Sequence, residues 1–280
     1  MVSGEKLGHY QILEKLGEGG MGEVYLAEDT KLGRRVALKL LPSSATANAD
    51  NLRRFEQEAR AASRLNHPNI AHIYEIGESE GIHYIAMEYV EGVSLDEKIA
   101  GKPLPISEIV QIGAQIADAL DEAHSQGITH RDIKSQNVMI TKRGRVKVLD
   151  FGLAKISRKV EETESEAATQ VKTNPGVVMG TVNYMSPEQA LGRETDARTD
   201  IWSLGIVLYE MATGRLPFAG ESITETIDKI THSHPEAIAR FNYDIPPELE
   251  VIIKKALRKN REERYQSAHD IFVDLQLLAR

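Results

Sequence analysis

The sequence predicts an α+β chain in two lobes, a β-rich first lobe with one helix over residues 1–90 and an α-rich second lobe over 91–280. Three observations predict it. Short apolar runs rich in β-formers recur through the first ninety residues, divided by glycines and charged turns. After Glu91-Gly92 the apolar positions fall at helical spacing, behind residues that cap helices. The segment His130-Arg131-Asp132-Ile133-Lys134-Ser135-Gln136-Asn137 sets a carboxylate, an ammonium and a carboxamide on one short loop, which places chemistry in the second lobe.

In chain order, Tyr10 to Leu16, Val24 to Glu28 and Val36 to Leu41 read as strands. Leu52, Phe55, Ala59, Ala62 and Leu65 share one face of a helix, and Ala71 to Ile76 and Ile82 to Glu88 return to strand. Ser94 to Glu97 is a capping box opening a short helix. Ile109, Ile112, Ile116 and Leu120 make a long helical stripe that ends near Gly127. Ile201 to Met211 is apolar almost all round, the pattern of a helix buried at a domain centre. Ser222 to Glu225 is a second capping box, and Pro246, Leu249, Ile252, Ile253 and Leu257 mark a further amphipathic helix. Residues Ser157 to Val178 are polar, without periodicity, and long enough to be a regulatory segment as well as a solvated loop.

Composition narrows the function classes. The net charge of −8, from 34 basic and 42 acidic residues, argues against nucleic acid or an anionic membrane as the main partner. With no cysteine there is no disulfide framework and no thiolate metal site, which fits a cytoplasmic location. No apolar run approaches the ~20 residues of a membrane span, and the first residues lack a signal-peptide layout, so no membrane contact is expected from this segment. A membrane-anchored longer protein stays open.

Gly17-Glu18-Gly19-Gly20-Met21-Gly22-Glu23-Val24 lets the backbone approach phosphate closely. Dinucleotide-binding loops share the glycine spacing but open a helix. Here Val24-Tyr25-Leu26-Ala27 alternates as a strand does, so the stretch reads as a hairpin that folds over phosphates. Lys39 rises from the apolar strand Val36-Ala37-Leu38, with Glu58 on the following helix as its expected partner and Glu56 as the competing choice. That pair would aim Lys39 at the α- and β-phosphates.

The loop 130–137 suits phosphoryl transfer to a hydroxyl. Asp132 accepts the hydroxyl proton, Lys134 neutralises charge on the moving group, and Asn137 is an oxygen ligand for a hard cation. Asp150-Phe151-Gly152, thirteen residues after Asn137, supplies a second metal ligand in Asp150. Most of the rate gain would come from positioning and charge stabilisation. His130 reads as a structural histidine, and His232 and His234 as surface residues.

These motifs, in this order, resemble the catalytic domain of a eukaryotic-type (Hanks-type) serine/threonine protein kinase across residues 10–278. Bacterial members are resembled most, through GEGGMGEVYLA, the turn His67 to Ile70, GTVNYMSPEQA and DARTDIWSLG. The resemblance implies a bilobal protein-kinase fold using ATP with Mg²⁺, or Mn²⁺ in its place, to phosphorylate protein Ser and Thr hydroxyls. It implies an adenine pocket of Leu16, Val24 and Ala37 above and Met139 below, a gatekeeper at Met87, and a hinge from Glu88 to Val90. Glu188 of Ser186-Pro187-Glu188 would pair with Arg264, with Arg258 and Arg261 as alternatives, and Asp200 would brace the catalytic loop. Gly180-Thr181 resembles the threonine that meets Asp132 and Lys134 in Ser/Thr kinases.

The family also implies regulation. Arg131 would read a phosphate on Thr163, Ser165, Thr169, Thr173 or Thr181, with Thr173 favoured and Thr169 second, placed by trans-autophosphorylation within a homodimer. The acidic run Glu161 to Glu166 is either a solvated loop or a partial phosphate mimic. A pseudokinase scaffold and a small-molecule phosphotransferase are the alternatives. The complete set Lys39, Glu58, Asp132, Lys134, Asn137 and Asp150 weighs against the first, and Thr181 to Glu188 against the second.

Overall fold

The structure, a computed structural model, describes residues 3–19, 22–42, 49–151 and 179–279. The chain divides into two compact units. One comprises Met1–Asn66, Ala71–Glu91 and Asp150–Gly176, the other His67–Ile70, Gly92–Leu149 and Val177–Arg280.

The first unit is a six-stranded antiparallel sheet, β1 (Lys6–Leu7), β2 (Tyr10–Gly19), β3 (Gly22–Asp29), β4 (Arg34–Leu40), β5 (Ile73–Ser79) and β6 (Ile82–Glu88), in the order β1-β2-β3-β4-β6-β5. Helix α1 (Ala49–Ala62) covers one face. Side-chain alternation along β4 explains the layering. Val36, Leu38 and Leu40 join Tyr10, Ile12, Tyr25 and Tyr84 in one cluster. Ala37 points the other way, into a cluster with Phe55 and Ala59 of α1 and with Ile85 and Met87. Lys39 shares the parity of Ala37 and is buried with it.

Strand boundaries differ by one to three residues from those the sequence predicts, β3 spanning Gly22–Asp29, β4 Arg34–Leu40 and β5 ending at Ser79. β2 runs past Leu16 to Gly19, because Gly17, Glu18 and Gly19 continue the ladder opposite Val24, Glu23 and Gly22. β5 begins at Ile73 rather than Ala71. The helical stripe also stops short of Leu65. Arg64 and Leu65 donate to the carbonyls of Ala61 and Ala62, three residues back, so the last apolar residue is buried by a tightened turn.

The second unit holds a three-stranded antiparallel sheet, β7 (Gly92–Ser94), β8 (Val138–Thr141) and β9 (Val146–Val148). Its helices are α2 (Leu95–Ile99), α3 (Ile106–Ser125), α4 (Met179–Val182), α5 (Pro187–Ala190), α6 (Arg198–Thr213), α7 (Ile223–His232), α8 (Pro247–Ala256) and α9 (Ala268–Leu278). α6 is buried on every face, as its all-round apolar sequence predicts. A Cβ on Gly113 of α3 would stand 2.6 Å from Leu208 of α6 and 3.1 Å from Leu275 of α9, so glycine there sets how closely the three helices pack. Ser94 and Glu97 form the expected capping box at α2. At α7 only half of one forms. Ser222 Oγ accepts from Glu225 N, while the Glu225 carboxylate takes the Glu221 N–H at 2.7 Å. No helix of the described residues is long and apolar enough to cross a membrane.

Candidate active site

In the second unit, residues 130–137 run from the start of the loop through a single 3₁₀ turn, Ser135–Asn137, into β8. Asp200, fully buried on α6, holds the loop by its backbone. Its Oδ2 accepts from His130 N at 2.8 Å and its Oδ1 from Arg131 N at 2.7 Å. A third donor, His124 Nε2, lies 2.8 Å from Oδ2. Burial alone would raise the Asp200 carboxyl; the His124 hydrogen bond and charge and the loop's donors outweigh it and hold the group below its ordinary range. His130 Nδ1 accepts from Asp132 N at 3.2 Å, which leaves Nε2 to donate to Leu149 O at 2.7 Å. This histidine is wholly buried and structural.

The loop presents its polar groups as a connected set. Lys134 Nζ lies 2.8 Å from Asp132 Oδ2 and donates to Thr181 Oγ1 at 3.1 Å. Asn137 donates through Nδ2 to Asp132 O at 2.9 Å and Asp132 Oδ2 at 3.1 Å. With both donor contacts on Nδ2, the Asn137 amide oxygen is the atom left to a cation, a donor type that suits Mg²⁺. Met139 is half-buried on β8, opposite Ser94 and Lys147.

The segment after Thr181 is fastened to the helices. Tyr184 OH donates to Glu210 Oε2 of α6 at 2.7 Å and stands 2.8 Å from Ser135 Oγ. Burial pushes the Glu210 carboxyl up, and burial with the neighbouring Glu210 charge pushes the Tyr184 phenol up. Of the three arginines considered for Glu188, Arg264 makes the pair, with both of its terminal nitrogens on the two carboxylate oxygens.

In the first unit, Lys39 Nζ lies 2.9 Å from Asp150 Oδ2. Lys39 stands opposite Val24 in the β3–β4 ladder, and Ala37 opposite Met87 across β4–β6. Val24, Ala37 and Met87 thus meet in the cluster beneath α1. Glu58 is half-buried on α1; the ion pair that Lys39 makes at 2.9 Å is with Asp150. Leu16 is exposed, Glu88 half-buried and Val90 buried. Lys15 joins the two acids of the glycine hairpin, meeting Glu18 and lying 2.6 Å from Glu23 Oε1. Gly22 adopts φ +108°, and a Cβ there would stand 1.9 Å from Leu40 O. Gly20, Met21, Gly152, Thr163, Ser165, Thr169, Thr173 and the run 161–166 lie outside the described residues.

The family model "Protein kinase domain" matches residues 10–274. The chain belongs to the protein kinase domain family. Its relatives include the serine/threonine-protein kinase PrkC of Bacillus subtilis (strain 168), 44% identical over 99% of this chain and 41% of that protein. PknB of Mycolicibacterium smegmatis is 41% identical over 95% of this chain and 42% of its own length. The chain therefore spans about two-fifths of the curated relatives it matches. Among solved structures, the PknI kinase domain of Mycobacterium tuberculosis aligns with a TM-score of 0.75 at 28% identity, over 99% of both chains. The fold is the α+β protein-kinase fold, with a β-sheet N-lobe and a helical C-lobe, as the sequence predicts.

Sequence reasoning passed over several residues of this kinase domain. His124 and the Ser135–Tyr184–Glu210 chain carry no local pattern that announces them. Gln189 does. Ser186-Pro187-Glu188-Gln189 is a capping box with glutamine in its last place, and that signal alone marks Gln189 as a residue with a fixed side chain.

Proposed function

We propose that this kinase domain transfers the γ-phosphoryl group of ATP to serine and threonine hydroxyls of proteins. The observation that carries it is Lys134, set between the Asp132 carboxylate and the Thr181 hydroxyl. Asp132 orients the incoming hydroxyl and takes its proton late, while Lys134 spreads the charge of the group in transfer. Thr181, tied to Lys134, holds the acceptor segment of the protein substrate against the loop. Asn137 and Asp150 are the metal ligands, and bound Mg²⁺, or Mn²⁺ in its place, would neutralise phosphate charge there. Lys39 anchors the nucleotide phosphates from the N-lobe with Glu58 and the glycine hairpin, and Leu16, Val24, Ala37, Met87, Glu88, Val90 and Met139 hold the base. Residues 1–90 serve nucleotide binding and 91–280 catalysis and substrate binding, on the cytoplasmic side where ATP is supplied. The names of PrkC and PknB support the serine/threonine class.

Arg131 supports regulation by phosphate. Its Nε is buried with no hydrogen-bond partner among the described residues. A buried guanidinium nitrogen is costly without an acceptor, and phosphate on Thr173 or Thr169, transferred there by a second copy of the chain, satisfies it. Phosphosite mapping after incubation with Mg-ATP, beside Asp132→Asn, tests both steps. Phosphate on Thr173 or Thr169 in the parent alone is the expected result. No phosphate in either chain, with ATP still bound, overturns the assignment.

A further inference from the structure

The peptide that joins Arg131 to Asp132 is gripped on both edges. Arg131 has φ +68°, in the left-handed region that a non-glycine residue occupies only when its surroundings force it. The N–H of that peptide, on Asp132, donates to His130 Nδ1 at 3.2 Å. Its carbonyl, on Arg131, accepts from Gln189 Nε2 at 2.9 Å. The preceding peptide is held by Asp200. Gln189 is itself immobilised: it is nine-tenths buried, and its Oε1 accepts from Ser186 N at 3.0 Å at the start of α5. Both ends of its amide are therefore committed, one to the cap of α5 and one to the catalytic loop.

We propose that Gln189 is a positioning residue for phosphoryl transfer, which holds the strained Arg131–Asp132 peptide by its carbonyl and so aims the Asp132 carboxylate. The proposal rests on the kinase function above. The Asp132 side chain leaves the backbone at this peptide, and a rotation of the peptide plane swings the carboxylate away from the acceptor hydroxyl. The Asp200 and His130 contacts fix N–H groups only. Gln189 supplies the grip on the oxygen, from the element that follows the substrate-binding segment. Loss of that grip lets Arg131 relax from positive φ at the cost of Asp132 alignment.

Gln189→Glu and Gln189→Met separate positioning from support. Glutamate keeps the acceptor that caps α5 but donates only when protonated; methionine has neither function. The first readout is turnover on a protein substrate and KM for ATP. Both variants are expected to lose turnover roughly tenfold near pH 8, with KM for ATP unchanged, as for loss of one geometric constraint. On acidification to about pH 5.5 the glutamate variant is expected to regain turnover relative to the parent, because burial raises its carboxyl towards that range. The methionine variant is not. Every other ionisable group of the loop is common to the parent and both variants, so the ratio to the parent isolates residue 189.

The second readout is hydrogen exchange of the backbone amides over 129–134, which needs no activity. Faster exchange there in both variants at neutral pH is expected, and protection regained at low pH in the glutamate variant only. Parent-like turnover and exchange in Gln189→Met overturn the proposal, as does one pH profile common to both variants. If Gln189→Met does not fold, the pH response of Gln189→Glu decides alone. An inactive parent counts against the kinase function, and the exchange readout still decides the role of Gln189.

Discussion

Arg264 and Glu188 face each other fork to fork, with Nη1 on Oε1 at 2.6 Å and Nη2 on Oε2 at 2.8 Å. The arginine side chain is fully buried and the carboxylate nearly so. Arg264 also donates to the carbonyls of Arg258, Lys259 and Arg198, so its remaining protons are satisfied. This ion pair ties α5 to the turn before α9.

Removing one partner strands the other. Arg264→Met is expected to cost about 3–5 kcal/mol in urea unfolding, the usual penalty for a buried charge left alone, and Arg264→Met with Glu188→Leu to recover most of it. A double variant no more stable than the single one counts against the pair as the cause.

The same pair sets an acid limit. Burial would raise the Glu188 carboxyl, but the Arg264 hydrogen bonds and charge prevail and lower it from its ordinary 4.5. The unfolded chain then binds its proton first as pH falls, so the stabilisation is complete above pH 4.5 and lost as pH drops through the folded value. Glu188→Gln is expected to flatten the stability profile in that acid window.

Lys259 gives a slope of opposite origin. Burial, and then the nearby Arg264 charge, lowers its ammonium from 10.5 to about 7. Between those values the unfolded chain holds more protons, so stability rises with pH, and below about 7 the full cost of charging is present. Lys259→Met is expected to remove this slope from thermal midpoints measured between about pH 6.5 and 9. Parallel curves for parent and variant would instead assign a permanently charged lysine, held by Ile230 O at 2.6 Å and by the Phe218 ring at 3.8 Å.

The hairpin glycines are not equivalent. Gly22→Ala meets Leu40 O and an unfavourable φ, and is expected to destabilise the domain by more than ~1 kcal/mol. A Cβ on Gly17 meets nothing within 4 Å, so Gly17→Ala is expected to leave the thermal midpoint unchanged and to weaken only ATP affinity. Equal loss of stability in the two variants sinks this distinction.

Lys39→Met leaves the Asp150 carboxylate without its 2.9 Å cation. ATP affinity is expected to fall roughly tenfold, as for one charge-assisted contact, in a titration of the isolated domain. Unchanged affinity would move Lys39 out of nucleotide binding.

The sequence determined whatever depends on local pattern. Short apolar runs of β-formers placed the strands around Lys39, helical spacing placed α3 and α8, an all-round apolar run placed α6, and the residue types at 130–137 announced the chemistry, because side-chain pattern and donor chemistry are properties of a short window. Even the pairing of Glu188 with Arg264 was legible, though only as one of three arginines. Tertiary structure decided which groups meet. Asp150 came to Lys39, Tyr184 linked Ser135 to Glu210, and Gln189 reached the Arg131 carbonyl across 58 residues of chain. Contacts at such separation are fixed by how whole helices pack, and the left-handed turn at Arg131 by the groups that hold its peptides; no window of sequence contains either.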